Sequence, residues 1–464
     1  MAFSACVRCI ARCITSGLFL YGGAGPAMAQ TVRPRPLGAD LPVFRPVDPG
    51  EQRVVEPRSL LNPTAQVTLR EVLAVALLQN PELAAYAWEV RAREARVLQA
   101  GRPPNPVISG VVEDLGGGNE ASGVESLVQP QATIQMSQLI ELGGKRAARR
   151  HLAEATRDLA SWDYEMARID VFTRVTRAFI DVLASQQAVA SSSQTMQLVE
   201  QTQETVRARV TAGVVSPIEQ TKAEVALASA RIESDRVRRT LESDRRRLAA
   251  LWGAADAAFE SATGDLTVLP PLPTFEALQA RLAENPELAR WTTEMAQRQA
   301  ALALEKKRAV PDVTVSAGYR RFTQIDSNAF LISGSIPLPL FDKNRGAIQE
   351  AADRAGKAQE EQRAASVRAL AALADAYRAA ATARDEVAAL SSAVLPGARA
   401  SFEAVSEGYR LGKFGYLEVL DAQRTLVTAS GQYQRALSDF HKAATEVERL
   451  TGAPLAGPGS SSIK

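Results

Sequence analysis

Asn80-Pro81-Glu82-Leu83-Ala84 is repeated as Asn285-Pro286-Glu287-Leu288-Ala289, 205 positions further on. A second echo links Gly213, Ile218 and Glu219 to the Leu-Gly-turn-Leu-Glu stretch around Gly412 and Glu418, 199 positions later. Between these anchors each half reads helix, two strands, very long helix, tight turn, helix. A period of about 190 residues is far beyond the roughly 20–50 of a stacked solenoid unit, so the pattern is that of a duplicated half-molecule.

Working outward from Asn80, Thr68 followed by Glu71 has the spacing of a capping box. Leu69, Val72, Leu73, Ala76 and Leu77 carry helical periodicity onward, toward the stop at Gly101-Arg102-Pro103-Pro104. The Asn-Pro pair within this span predicts a break, because the residue before proline is pushed out of the helical region. Two strand-length runs follow, Val107–Leu115 and Thr133–Leu142, separated by the Gly-rich loop 116–129. The second half repeats them at about 312–322 and 329–339. There Val313, Val315, Ala317 and Tyr319 alternate with Thr314, Ser316, Gly318 and Arg320. Apolar residues on one face and small polar ones on the other fit a transmembrane barrel strand. They fit a half-buried soluble hairpin as well.

Helix geometry decides between the two. Gly144–Ala212 and Lys343–Leu411 each read as one helix of about 105 Å at roughly 1.5 Å per residue. The shorter spans 69–100, 217–252, 275–308 and 416–451 come to about 50 Å each, so two stacked end to end would lie beside each long helix. All four strands then leave one end, and the turns 212–216 and 411–415 form the other. Pro396-Gly397 interrupts the second long helix only, and predicts a kink there.

Four strands cannot close a membrane barrel, whose smallest form has eight, and an open edge is not tolerated in lipid. Several chains must therefore pool strands. Two copies would give a bore filled by side chains, and three would give twelve strands and a lumen. The expected fold is mainly α with a small β portion: a long α-helical coiled-coil barrel and a trimeric 12-stranded transmembrane β-barrel, built from two internal structural repeats.

The bulk composition agrees. The 464 residues carry 5% aromatics, 23% charged residues of interspersed sign and a net charge of +2. That balance gives no basic face for nucleic acid. Cys6, Cys9 and Cys13 all fall in a leader with Arg8, Arg12, the apolar run 14–21 and the exit Ala27-Met28-Ala29. This reads as a secretory signal peptide, 1–29. A chain starting at Gln30 has no thiol chemistry, and Cys13 lacks the context for lipidation. No later run reaches the ~20 apolar residues of a membrane-spanning helix. The expected layout is a Pro-rich arm at 30–67, a first repeat at 68–255, a linker at 256–273, a second repeat at 274–453 and a flexible tail at 454–464.

Tyr409-Arg-Leu-Gly412-Lys-Phe-Gly-Tyr-Leu417-Glu418-Val-Leu-Asp421-Ala-Gln423 resembles the tip turn and final-helix start of the TolC-like outer membrane efflux family. The resemblance covers essentially residues 68–452. Ser335-Ile-Pro-Leu-Pro-Leu-Phe-Asp-Lys-Asn-Arg-Gly346 resembles the heavy-metal branch, of cobalt-zinc-cadmium type. The resemblance implies a homotrimeric duct from the outer membrane of a Gram-negative bacterium into the periplasm. It would dock on a periplasmic adaptor (membrane fusion) protein and a proton-driven inner membrane RND-type pump, pass divalent heavy-metal cations, and perform no chemistry.

It also implies roles for residues. Glu418 and Asp421 match acidic positions ringing the periplasmic entrance, and Tyr409, Glu219 and Lys222 belong to the same gate. Glu219 matches Glu418 in the first repeat, whereas Lys222 stands where Asp421 would be, so Lys222 or Arg209 is expected to pair with Asp421 when the gate is shut. Glu418 and Asp421 are also what a helix's first turn favours by itself. The adaptor would meet Gly213, Val214, Val215 and Ser216 on one tip and Gly412, Lys413, Phe414 and Gly415 on the other. Phe414 departs from the family, where Arg or another polar residue is common, so gate-locking links need not be copied.

His151 and His441 are the only histidines and lie far apart. With the scattered methionines they make no metal-ligand pattern. Phosphate loops and nucleophile elbows are missing, so neither an enzyme nor a cofactor is expected. Lys145-Arg146, Arg149-Arg150, Lys343 and Arg345 follow the strands, as contacts to outer membrane lipid heads or as solvated helix starts. Two other readings stay open: a multidrug or type I secretion exit duct, and an exported coiled-coil scaffold or adaptor without a pore.

Overall fold

The computed structural model describes residues 36–46, 62–113, 131–323 and 326–455. The leader 1–29, the loop 116–129 and the tail beyond Leu455 lie outside them. The elements run β1 (Gln66–Thr68), α1 (Leu69–Gln79), α2 (Pro81–Ala100), β2 (Val107–Glu113), β3 (Gln131–Ile140), α3 (Lys145–Thr211) and α4 (Pro217–Ala250). The second half gives β4 (Ser261–Thr263), α5 (Phe275–Arg281), α6 (Pro286–Arg308), β5 (Val313–Phe322), β6 (Ser327–Ser335), α7 (Arg345–Ala389), α8 (Leu395–Arg410) and α9 (Tyr416–Thr451).

Helix α3 runs unbroken for 67 residues. At the usual rise that is about 100 Å. It packs against α2, α4, α6 and α9 and is the spine of the chain. Its counterpart is α7 continued by α8, with a π-helical turn at Leu390–Val394 between them. Pro396 has no N–H to offer the Ser392 carbonyl, so the ladder slips by one residue just ahead of it.

The two Asn-Pro steps make the same pair of hydrogen bonds. Asn80 Oδ1 accepts from the Leu83 N–H at 2.9 Å while its Nδ2 donates to the Leu251 carbonyl at 2.7 Å. Asn285 Oδ1 accepts from the Leu288 N–H at 3.1 Å while its Nδ2 donates to the Leu450 carbonyl at 2.6 Å. Each asparagine caps the helix that starts at the next proline and ties it to the end of a helix arriving from the tip. The stacked partners are thus α2 on α4 and α6 on α9. Helix α2 has 20 residues and α6 has 23 residues. Both fall short of the spans of about 50 Å read from sequence, because α1 and α5 turn off the line at these steps.

What turns off becomes an outer layer around the middle of the chain. Residues 66–68 and 261–263 pair as a small parallel sheet that no alternation pattern announces. With Val72, Leu73, Ala76 and Leu77 of α1, this layer shares a core with Val171, Val175, Phe179 and Val182 of α3, closed by Trp252 and Phe259. Part of the Pro-rich stretch lies on it: the Leu37 N–H donates to the Gly452 carbonyl, and buried Arg168 donates to the Leu37 carbonyl at 2.7 Å. A second core joins Leu278 and Leu282 to Leu373, Phe440, Val447 and Leu450.

At the far end four antiparallel strands line up β2-β3-β5-β6. One face carries Ile108, Ile134, Met136, Tyr319, Phe330 and Ile332, with Phe330 and Ile332 89% and 86% exposed. The other carries Ser137 bonded to Ser316 and Thr133 bonded to Arg320, both at 2.9 Å. The last strand ends at Ser335, earlier than 339. Pro337 and Pro339 cannot donate to a ladder. Within the chain β2 and β6 are edge strands. No helix of the described residues is long and apolar enough to cross a membrane.

Candidate functional site

The end opposite the sheet consists of two tight turns, α3 to α4 and α8 to α9. Gly213 has φ 71° and Gly412 has φ 76°. This is the left-handed conformation that closes a helix, open to glycine without strain. The Gly213 N–H reaches the Val210 carbonyl at 2.9 Å and the Gly412 N–H the Tyr409 carbonyl at 3.0 Å. Ser216 then caps α4 and Gly415 precedes α9. Val214, Leu411, Phe414 and Leu417 are left in the open.

A small core holds the two turns together: Val206 of α3, Ala223 of α4, Phe402 and Tyr409 of α8, and Tyr416, Val419 and Ala422 of α9. Tyr409 is its centre. Its hydroxyl donates to Glu219 Oε2 at 3.2 Å, and the Arg209 guanidinium lies over its ring, 4.4 Å from the centroid. Arg209 also donates to the Tyr409 carbonyl, and the Tyr416 ring stands 6.0 Å away. Burial, reinforced by the Glu219 charge, pushes both phenols up to about 12. Tyr409 is therefore a fixed hydrogen-bond donor at any physiological pH. It ties α8 to both helices of the first hairpin, a clasp made of one phenol, one carboxylate and one guanidinium.

The structure thus brings Tyr409, Glu219 and Arg209 together. It does not gather Glu418, Asp421 and Lys222 with them. These three are exposed and, among the described residues, make no ion pair within the chain. Arg209 is committed to Tyr409 rather than to Asp421. Sequence reasoning gave no role to Gly408 and Tyr416. A Cβ on Gly408 would stand 2.2 Å from the Phe414 ring, so the missing side chain is what lets Phe414 fold back on α8. The signal was there in the spacing Gly408-Tyr409…Gly412-Lys413-Phe414, which a single sequence does not separate from ordinary turn composition.

Among the described residues no group of three or more His, Cys, Asp or Glu is placed to hold a metal ion. His441 is buried, with Nε2 2.9 Å from the Leu266 carbonyl, and burial pulls its pKa down, which makes it a neutral core residue. His151 lies exposed near the start of α3.

Comparison with known proteins bears on the same two hairpins. The family model described as "Outer membrane efflux protein" matches residues 72–254 and 277–453. The cobalt-zinc-cadmium resistance protein CzcC of Cupriavidus metallidurans is 37% identical over 398 residues, 86% of this chain and 92% of that protein. The nickel and cobalt resistance protein CnrC of the same organism is 29% identical over 291 residues, 63% of this chain and 67% of that one. Among solved structures, CusC superposes with a TM-score of 0.72 at 15% identity, over 93% of this chain and 99% of that one, a likeness of fold.

Proposed function

Because this chain belongs to the outer membrane efflux protein family, whose members are channels rather than enzymes, we propose that it is the exit duct of a tripartite metal-efflux system. Three copies pool their sheets into a 12-stranded barrel in the outer membrane, and their helices continue the wall into the periplasm. The sheet carries this reading. It has two unpaired edges and an apolar outer face. Both are satisfied only by further strands and by lipid. The matching bonds of Asn80 and Asn285 support a chain built from two repeats.

An adaptor on the tips and an RND-type pump in the inner membrane supply substrate and energy. Divalent cations are the favoured cargo because CzcC and CnrC are named for resistance to cobalt, zinc, cadmium and nickel. At the tips, Glu418 and Asp421 from three chains would ring the entrance. Like charges about 4 Å apart repel by about 1 kcal/mol in water, so a shut ring calls for counter-charges. With Arg209 held by Tyr409, exposed Lys222 of a neighbouring copy is the counter-charge this reading assigns to Asp421.

Deleting the gene should sensitise the host to zinc, cobalt and cadmium, with recovery on return of the wild-type gene. Sensitivity to drugs alone would overturn the metal reading and leave the duct. In planar bilayers, Asp421→Ala should lower cation preference and raise conductance. Unchanged traces would remove Asp421 from the gate.

A further inference from the structure

Just below the four-stranded sheet, where α2 and α6 end and α3 begins, lies a cavity of about 590 Å³. Five guanidiniums line it, from Arg93, Arg96, Arg102, Arg149 and Arg308, and no carboxylate does. Three of them are spoken for: Arg93 pairs with Glu89 at 2.6 Å, Arg149 with Glu141 at 2.5 Å and Arg308 with Glu305 at 2.6 Å. Arg149 is also a strut, donating to the Ala100 and Arg102 carbonyls at 3.0 and 3.2 Å and so fixing the bend between α2 and β2. Arg96 and Arg102 are exposed and make no ion pair among the described residues. The floor between them is apolar, formed by Leu152, Ala153 and Leu304 with Pro103 and Pro104.

The place of this cavity in the wall follows from α3. Arg168, Val175 and Val182 recur at heptad spacing and face the outer layer and the 36–46 stretch. Arg149, Thr156, Asp163 and Asp170 form a second row of the same spacing. Asp163 and Asp170 precede and follow Arg168 by steps that amount to about 140° and about 200° around the helix, which is the opposite face. By the same count Thr156 and Arg149 stand about 120° and about 100° from Arg168, on the flank of α3, and both line the cavity. In a closed helical wall, a premise resting on the duct reading above, that flank is the seam between α3 and its neighbours α2 and α6, just below the barrel.

We propose that this cavity is an anion-binding site that takes the phosphate or carboxylate group of a small solute carrying a short apolar body. Arg96 and Arg102 supply unpaired, forked donors suited to an oxyanion. The floor accepts a few carbons, and three copies would set six such guanidiniums around the wall below the barrel. The duct then carries a ring of cationic anion sites in its wall just below the barrel.

The test uses the purified full-length protein at low ionic strength, where surface charges are least screened. Inorganic phosphate and hexyl phosphate are titrated by calorimetry against wild type and an Arg96→Gln/Arg102→Gln variant. Saturable binding is expected, tighter for hexyl phosphate by roughly fourfold per methylene resting on the floor, and at least tenfold weaker in the variant. No binding, or equal binding to both proteins, overturns the proposal. So does phosphatidylglycerol that co-purifies with wild type and is lost from the variant, since the cavity would then hold a lipid head. Single-channel conductance of the same variant is expected to persist. It reads the duct independently, so loss of the anion site and failure of the duct are told apart.

Discussion

The Tyr409 hydroxyl donates to the Glu219 carboxylate at 3.2 Å, joining two hairpins whose sequence positions lie 190 residues apart. Hydrogen bonds to charged groups contribute about 1.5–3 kcal/mol, and on the proposed duct reading this one spans the elements that part when the tips open. Tyr409→Phe should raise open probability about tenfold in planar bilayers, the equivalent of roughly 1.4 kcal/mol. Glu219→Gln keeps an acceptor and should do less. Equal traces for all three proteins would show that the clasp is packing alone.

Gly408→Ala places a methyl against the Phe414 ring. Overpacking of this kind costs about 1–3 kcal/mol. The ring is 46% exposed, so it has somewhere to go. The expected outcome is a displaced tip, read as weaker adaptor binding. Phe414→Ala in the same chain should restore the turn but not the ring's own contact. If Gly408→Ala binds adaptor normally, Phe414 does not hold the turn.

Asn80→Ala and Asn285→Ala each remove a cap and orphan a carbonyl at the end of α4 or α9. Loss of the cap costs about 0.5–2 kcal/mol, and the orphaned carbonyl, buried at Leu450 and partly buried at Leu251, up to about 1–3 kcal/mol more. Both variants should be cut faster by protease at the outer layer than at the tips or sheet. Protection equal to wild type would show that α2 and α6 do not depend on these tethers.

Glu448 is buried near the end of α9 and accepts the Leu455 N–H at 2.9 Å. Burial pushes its carboxyl up from the ordinary 4.5 to about 7. A raised carboxylate pKa means the folded chain holds a proton that the unfolded chain releases. Its contribution is therefore complete below pH 4.5 and declines as pH rises toward 7. The whole decline amounts to about 3 kcal/mol. Glu448→Gln should flatten that slope, leaving the chain more stable than wild type at about pH 8 and little changed at about pH 4. Thermal unfolding across this range measures it, and parallel curves for the two proteins would refute it.

Much of the architecture was legible along the chain. Asn-Pro, the Gly turns at 213 and 412 and the strand alternation at 313–319 all act through local rules: fixed φ at proline, positive φ at glycine, period two on a pleat. These rules place α3, α4, α9 and the four strands to within a few residues. The parallel pairing of 66–68 with 261–263 was not legible, because so short a strand carries no period. Nor was the departure of α1 and α5 from the stacked line, which depends on where their apolar faces find a partner.

The candidate site divides the same way. Two hairpins ending in matching turns, with acidic helix starts after them, can be read along the chain alone, since turn chemistry and capping are settled within a few residues. Packing in three dimensions chose which charges meet. It gave Arg209 to the Tyr409 ring, left Asp421 and Lys222 in the open, and gathered five arginines beneath the sheet. Electrostatic and aromatic contacts act over a few ångströms in space, and helices packed side by side bring residues from distant parts of the chain within that reach.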